Sequence, residues 1–202
     1  MKLICLNLWG GKVYEPLIKF IKQNKDTDIF CFQETLHAEP VKRLTGKVFK
    51  NSKLDLFESL KTILNDYNGF FSEMIDLLSL EESDFNVPLG QSIFIKKKNK
   101  IETSGDIFVH GEGYDKFDYS EGFPNSPRNV QYIGFKKSGK DYWIFNYHGV
   151  WTPGPKFDNK HRLLASKNIR SLLDSKNGKK ILCGDFNLLP ETKSLKILAS
   201  GM

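Results

Sequence analysis

The sequence predicts a mixed α/β protein, and three observations lead there. Short apolar runs recur along the chain and close on polar residues, as strands do where they leave a core. Between them lie apolar residues at spacings of three and four, the mark of helices with one buried face. In the middle of the chain, alternating segments are separated by brief polar reversals, as in hairpins.

The first strand is residues 2–7, Lys2-Leu3-Ile4-Cys5-Leu6-Asn7, ending on an asparagine. Val13, Leu17, Ile18 and Ile21 then mark a helix, where Pro16 is tolerable because a first turn needs no amide donor. Residues 28–34 give a second strand that closes on Gln33 and Glu34. Leu54, Phe57, Leu60 and Leu64 make a helical stripe between residues 53 and 67. Strands at 91–96 and 101–109 follow, joined by a reversal carrying Lys96, Lys97, Lys98 and Lys100. A further hairpin pairs 129–135 with 142–147 across Lys136, Lys137 and Lys140. Residues 111–128 fit neither class: Tyr114, Phe117, Tyr119 and Phe123 lie among glycines and prolines, where the rings either pack on their own sheet or stack on a base or sugar. An amphipathic helix over 158–175 buries Ala165, Ile169, Leu172 and Leu173, with Asp158 or Asn159 as N-cap and Gly178 as the stop. The last strand, Lys180-Ile181-Leu182-Cys183, runs into Gly184-Asp185-Phe186-Asn187.

At 202 residues, with 40% hydrophobic and 27% charged residues, the chain suits one globular domain spanning 1–202, without linker or repeat. No stretch approaches the roughly 18 to 20 apolar residues of a membrane span, and no basic region followed by an apolar core opens the chain. Cys5, Cys31 and Cys183 all fall in strand runs, which predicts free thiols and a cytoplasmic setting. A net charge of +6 favours anionic substrates. No obligate protein partner is evident.

Chemistry concentrates at the strand ends. Alternation along an extended chain delivers Asp185 and Asn187 to one side of a strand rim. There a carboxylate can orient a water or hold a hard cation, and an amide can donate to a phosphate oxygen. As a local feature the same four residues also fit an Asx-type turn. Asn7, Gln33-Glu34, Asn146-Tyr147-His148 and Gly184-Asp185-Phe186-Asn187, in this order, resemble the endonuclease/exonuclease/phosphatase superfamily, over residues 2 to about 199. The run from His148 to Asp158 looks like small bacterial members and departs from the abasic-site endonucleases, which weakens a DNA-repair reading.

The resemblance implies a four-layer α/β (α+β) sandwich, two mixed β-sheets face to face with helices outside. It implies a hydrolase acting on a phosphate ester, nucleic acid among the candidate substrates, with Mg²⁺ or Mn²⁺ as cofactor. Glu34 and Asn7 take the metal positions, Asn7 as a ligand or a support. Asp185 orients the attacking water or its base, and Asn187 holds a phosphoryl oxygen. His148 is a protonated donor, its pKa raised by neighbouring anions, and Arg128 grips phosphate. Arg162 reads as structural. Superfamily members carry a late Ser-Asp-His segment whose histidine is the general base. No such segment occurs here, so the resemblance implies that the last strands of the second sheet are missing and that these residues alone hydrolyse esters weakly or not at all. A small-molecule or lipid-headgroup phosphatase, and an inactive phosphate-binding relative, are the alternatives.

Overall fold

A computed structural model describes residues 1–38, 51–76, 86–111 and 126–201. The chain forms two compact units, Met1–Asn99 and Lys100–Met202, each built on a four-stranded mixed sheet.

In the first unit the sheet order is β1-β2-β4-β3. β1 (Leu3–Asn7) runs parallel to β2 (Ile29–Leu36), and the helix α1 (Tyr14–Gln23) makes the crossover between them. β4 (Pro88–Lys96) lies antiparallel to both β2 and β3 (Tyr67–Asp76). Of the four stripe residues, Val13 is the residue before the helix and is exposed, whereas Leu17, Ile18 and Ile21 of α1 do what their spacing requires and are buried. Leu56, Phe57 and Leu60 of α2 (Leu56–Ile63) join them over Phe30, Phe32 and Phe94. β2 is buried along both faces, which is why it reads as a continuous apolar run with no alternation.

In the second unit the order is β5-β6-β7-β8. β5 (Ile101–His110), β6 (Arg128–Lys137) and β7 (Lys140–His148) pair antiparallel, and β8 (Lys179–Asp185) runs parallel to β7. The β6–β7 turn uses Ser138 and Gly139, both with positive φ, the twist a two-residue hairpin needs. α3 (Lys160–Asp174) buries Ala165, Ile169, Leu172 and Leu173 against Val130, Phe145 and Tyr147. Asn159 is its N-cap, accepting from Arg162 N. Asp158 instead accepts from Lys193 N and Ser194 N at the start of α4 (Lys193–Ala199).

Three expectations need correction. Strands 91–96 and 101–109 exist but do not form a hairpin: β4 pairs with β2 and β3, β5 pairs with β6, and the lysine-rich reversal carries the chain from one sheet to the other. Its lysines are tethered as well as solvated, with Lys98 on Asp28 at 2.9 Å and Lys97 on Asn65 O at 2.9 Å. The stripe ending at residue 67 hides a boundary, since α2 stops at Ile63 and Tyr67 opens β3, a strand the sequence reading did not assign. The short helix α4 was not anticipated either. The aromatic stretch at 112–125 lies outside the described residues. The cysteines are free, Cys31 fully buried and the other two half-buried. Among the described residues, no helix is long and apolar enough to cross a membrane.

Candidate active site

The first unit offers a carboxylate that its backbone re-aims. The register of β2 against β4 shifts between Phe32 and Thr35, and in that bulge Glu34 has φ 52°. For a residue with a β-carbon this left-handed backbone costs on the order of 1–3 kcal/mol and persists only where the surroundings over-determine it. The bulge separates neighbouring side chains. Gln33 stays buried with its amide 3.4 Å from the Cys5 sulfur, whereas Glu34 Oε1 accepts from Asn7 Nδ2 at 2.9 Å. Asn7 is fixed at its other end too, because Oδ1 accepts from Trp9 N at 2.9 Å. A backbone N–H can only donate, so the amide orientation is settled by chemistry. In this arrangement Asn7 steadies Glu34.

A hard divalent cation fits this donor set. Among the described residues no three of His, Cys, Asp and Glu gather into a metal cluster, so the donors to be weighed are this one carboxylate and its neighbouring amide. Mg²⁺ uses one or two carboxylates and keeps water and phosphate oxygens as its remaining ligands, a demand that Glu34 with Asn7 beside it meets.

In the second unit two parallel strands end side by side, and His148 lies in register with Asp185. Glycine permits the approach: a β-carbon on Gly184 would lie 1.8 Å from Tyr147 O, and one on Gly149 2.0 Å from Phe186 O. Gly149 N then donates to Asp185 O at 2.7 Å. Asn187 does not reach this rim by strand alternation, as the sequence suggested. β8 stops at Asp185, and Asn187, with φ 53°, donates its backbone N–H back to Asp185 Oδ1 at 3.1 Å. The local turn and the candidate site are one structure. The turn sets the pair.

His148 differs from expectation in its charge. It is only 7% exposed, and burial together with the Arg128 guanidinium pushes its imidazole down to about 3, against the upward pull of Asp185. It is neutral at pH 7. The adjacent Tyr147 phenol, also buried, is pushed up to about 12. Arg128, 4% exposed, places Nε on Gly149 O at 3.1 Å and Nη1 on Ser126 Oγ at 2.6 Å and Pro127 O at 2.7 Å. Its fork braces the Gly149 turn beside His148 while its charge acts on the rim. Arg162 is structural in this geometry, with Nε on Val150 O at 3.2 Å and Nη1 on Phe157 O.

Sequence reasoning missed Lys156. It sat unremarked in the loop after His148, and only the fold shows its ammonium 2.8 Å from Asn187 Oδ1. Its position two residues beyond Gly154 in a loop from the histidine strand carried no periodic signal.

No family model matches the chain. Solved structures do. A mannosyl-6-phosphatase from Bacteroides thetaiotaomicron aligns over 98% of this chain and 69% of its own, with 21% identity and a TM-score of 0.63. An endonuclease/exonuclease/phosphatase from Bacteroides vulgatus aligns over 96% of this chain and 69% of its own, with 17% identity and a TM-score of 0.65. The chain has the fold of the endonuclease/exonuclease/phosphatase family. The sequence resemblance to that family is therefore matched in three dimensions. A sequence likeness points the same way: the Ccr4 3'-5'-exoribonuclease subunit of the CCR4-Not complex of Candida albicans is 22% identical over 88% of this chain. The chain spans 23% of that curated relative's length.

Proposed function

We propose that this chain is a divalent-metal-dependent phosphoesterase that hydrolyses a phosphodiester, nuclease-like, by in-line attack of water. One observation carries the reading. His148 and Asp185 stand in register at a strand rim, Asn187 is turned back onto Asp185, and the cations of Arg128 and Lys156 act on His148. An excess of fixed positive charge around one carboxylate suits a bound phosphate with a water beside it. The likenesses support the class, since a phosphatase is similar in fold and an exoribonuclease subunit in sequence.

In this reading Asp185 orients the water whose oxygen forms the new P–O bond as the ester P–O bond breaks. One water proton passes to bulk solvent, and the leaving oxygen takes up one from it. Asn187 donates to a phosphoryl oxygen as negative charge grows, a role whose removal costs about 3 kcal/mol in other hydrolases. His148, neutral, donates a hydrogen bond to the phosphate or the leaving oxygen. Arg128 contributes charge to substrate binding while its fork holds the turn. Glu34, with Asn7, would hold Mg²⁺ or Mn²⁺, and the chemistry such an ion would supply is neutralisation of phosphate charge.

A phosphomonoester of a small molecule is the second reading, favoured by the mannosyl-6-phosphatase likeness. A panel of bis(p-nitrophenyl) phosphate, p-nitrophenyl phosphate, single-stranded RNA and plasmid DNA, each with Mg²⁺, Mn²⁺ or EDTA, separates the two. The expected result is slow, EDTA-sensitive cleavage of diesters, lowered in Glu34→Gln. Preference for the monoester shifts the assignment to a phosphatase. Failure with every ester while phosphate still binds would leave a binding protein and sink the enzyme reading.

A further inference from the structure

Lys156, a cation of the second unit's rim, touches a candidate catalytic side chain directly. Its Nζ donates to Asn187 Oδ1 at 2.8 Å, and the same ammonium lies 5.4 Å from the centre of the Trp151 ring. Its backbone is strapped as well, with Lys156 O accepting from Leu189 N at 3.0 Å. The loop around it is pinned by Arg162, which donates to Val150 O, Pro155 O and Phe157 O. Ammonium and loop are therefore held from several directions, where a solvated lysine would sweep freely.

The chemistry of the contact has a consequence for Asn187. A lysine has donors and no acceptor, so the oxygen end of the Asn187 amide must face it. The nitrogen end is fixed independently, because Nδ2 donates to Gly149 O at 3.2 Å and a carbonyl only accepts. Nδ2 carries two hydrogens, and among the described residues the second has no partner. Asn187 is half-buried, so a ligand at the rim can reach it. Rotation of the amide by half a turn would set two donors against each other at Lys156 and two acceptors at Gly149.

We propose that Lys156 is a positioning residue for phosphate recognition: it locks the Asn187 carboxamide with its N–H toward a phosphate oxygen and places its own ammonium beside that phosphate. This rests on the phosphoesterase reading for its reaction but not for its binding step. Burial and the nearby Arg162 lower the lysine's affinity for its proton while Asp185 raises it, which is the setting of a charge placed for an anion.

The test is inorganic phosphate binding by titration calorimetry, alongside hydrolysis of bis(p-nitrophenyl) phosphate in Mg²⁺. Variants are Lys156→Met, Lys156→Gln, Lys156→Arg, Asn187→Ala and the double variant Lys156→Met/Asn187→Ala, each first shown to retain the wild-type melting transition. Lys156→Met and Lys156→Gln are expected to weaken phosphate binding about tenfold, as loss of a charge-assisted contact does. Lys156→Arg should restore most of it. In the Asn187→Ala background Lys156→Met should lose much less, because the two act as a unit. Unchanged phosphate affinity in Lys156→Met, additive losses in the double variant, or no phosphate binding by the wild type would each overturn the proposal. If phosphate binding depends on Lys156 but no ester is hydrolysed, the enzyme reading fails and this one stands. If esters are hydrolysed with equal kcat and KM in Lys156→Met, the reverse holds.

Discussion

At the scale of single residues, the candidate site's residues were legible as strand-end groups, and their charge states were not. Asn7, Glu34, His148, Asp185 and Asn187 were all visible because polar residues that end apolar runs are conspicuous. The charge of His148 was not, because a sequence shows the anion beside it and hides the burial that outweighs that anion. Lys156 was invisible for a related reason: a loop lysine reads as solvated until the fold brings Asn187 to it. The depressed imidazole has a measurable consequence. Its folded value of about 3 lies below the ordinary 6.5, so the unfolded chain takes up the proton first. The contribution of neutral His148 to stability is present above pH 6.5 and is lost as the pH falls toward 3. Urea midpoints at pH 7 and pH 4.5 should therefore differ more for the wild type than for His148→Gln. An equal or larger difference in the variant would show that His148 does not titrate in this window.

At the scale of elements, helices with clean stripes and strands bounded by polar ends were found from the sequence, while pairing was not. The β4 and β5 segments have strand patterns, yet nothing in Lys97 to Lys100 tells a hairpin from a passage between sheets. β3 was obscured because Tyr67 continues the apolar spacing of the helix before it. Gly184 and Gly149 are the element-scale devices that let β7 and β8 close on each other. Gly149→Ala is expected to lower the melting temperature by several degrees and to reduce phosphate affinity together, because Phe186 O must retreat and carry Asn187 with it. A variant that melts like the wild type and binds phosphate normally would refute that coupling. By contrast Asn159→Ala, which removes only the cap of α3, should cost about 1 kcal/mol in chemical denaturation and leave phosphate affinity unchanged.

At the scale of the whole molecule, charge bears on the kind of ester. A net charge of +6 attracts any phosphate, but a polyanion releases counterions on binding and a small ester does not. If nucleic acid is the substrate, the logarithm of KM for single-stranded RNA should rise steeply with the logarithm of salt concentration. A flat dependence would favour the small-molecule reading. The resemblance was recognisable because its residues recur in order along the whole chain, and the fold agrees with it. Substrate choice has no such ordered trace. The most direct test of the central claim is the initial rate of bis(p-nitrophenyl) phosphate hydrolysis in Mg²⁺ by the wild type and by Asp185→Asn, measured side by side. A wild-type rate above the protein-free control that falls at least about tenfold in the variant is the expected result. Equal rates in the two proteins would contradict the assignment of phosphate chemistry to this rim.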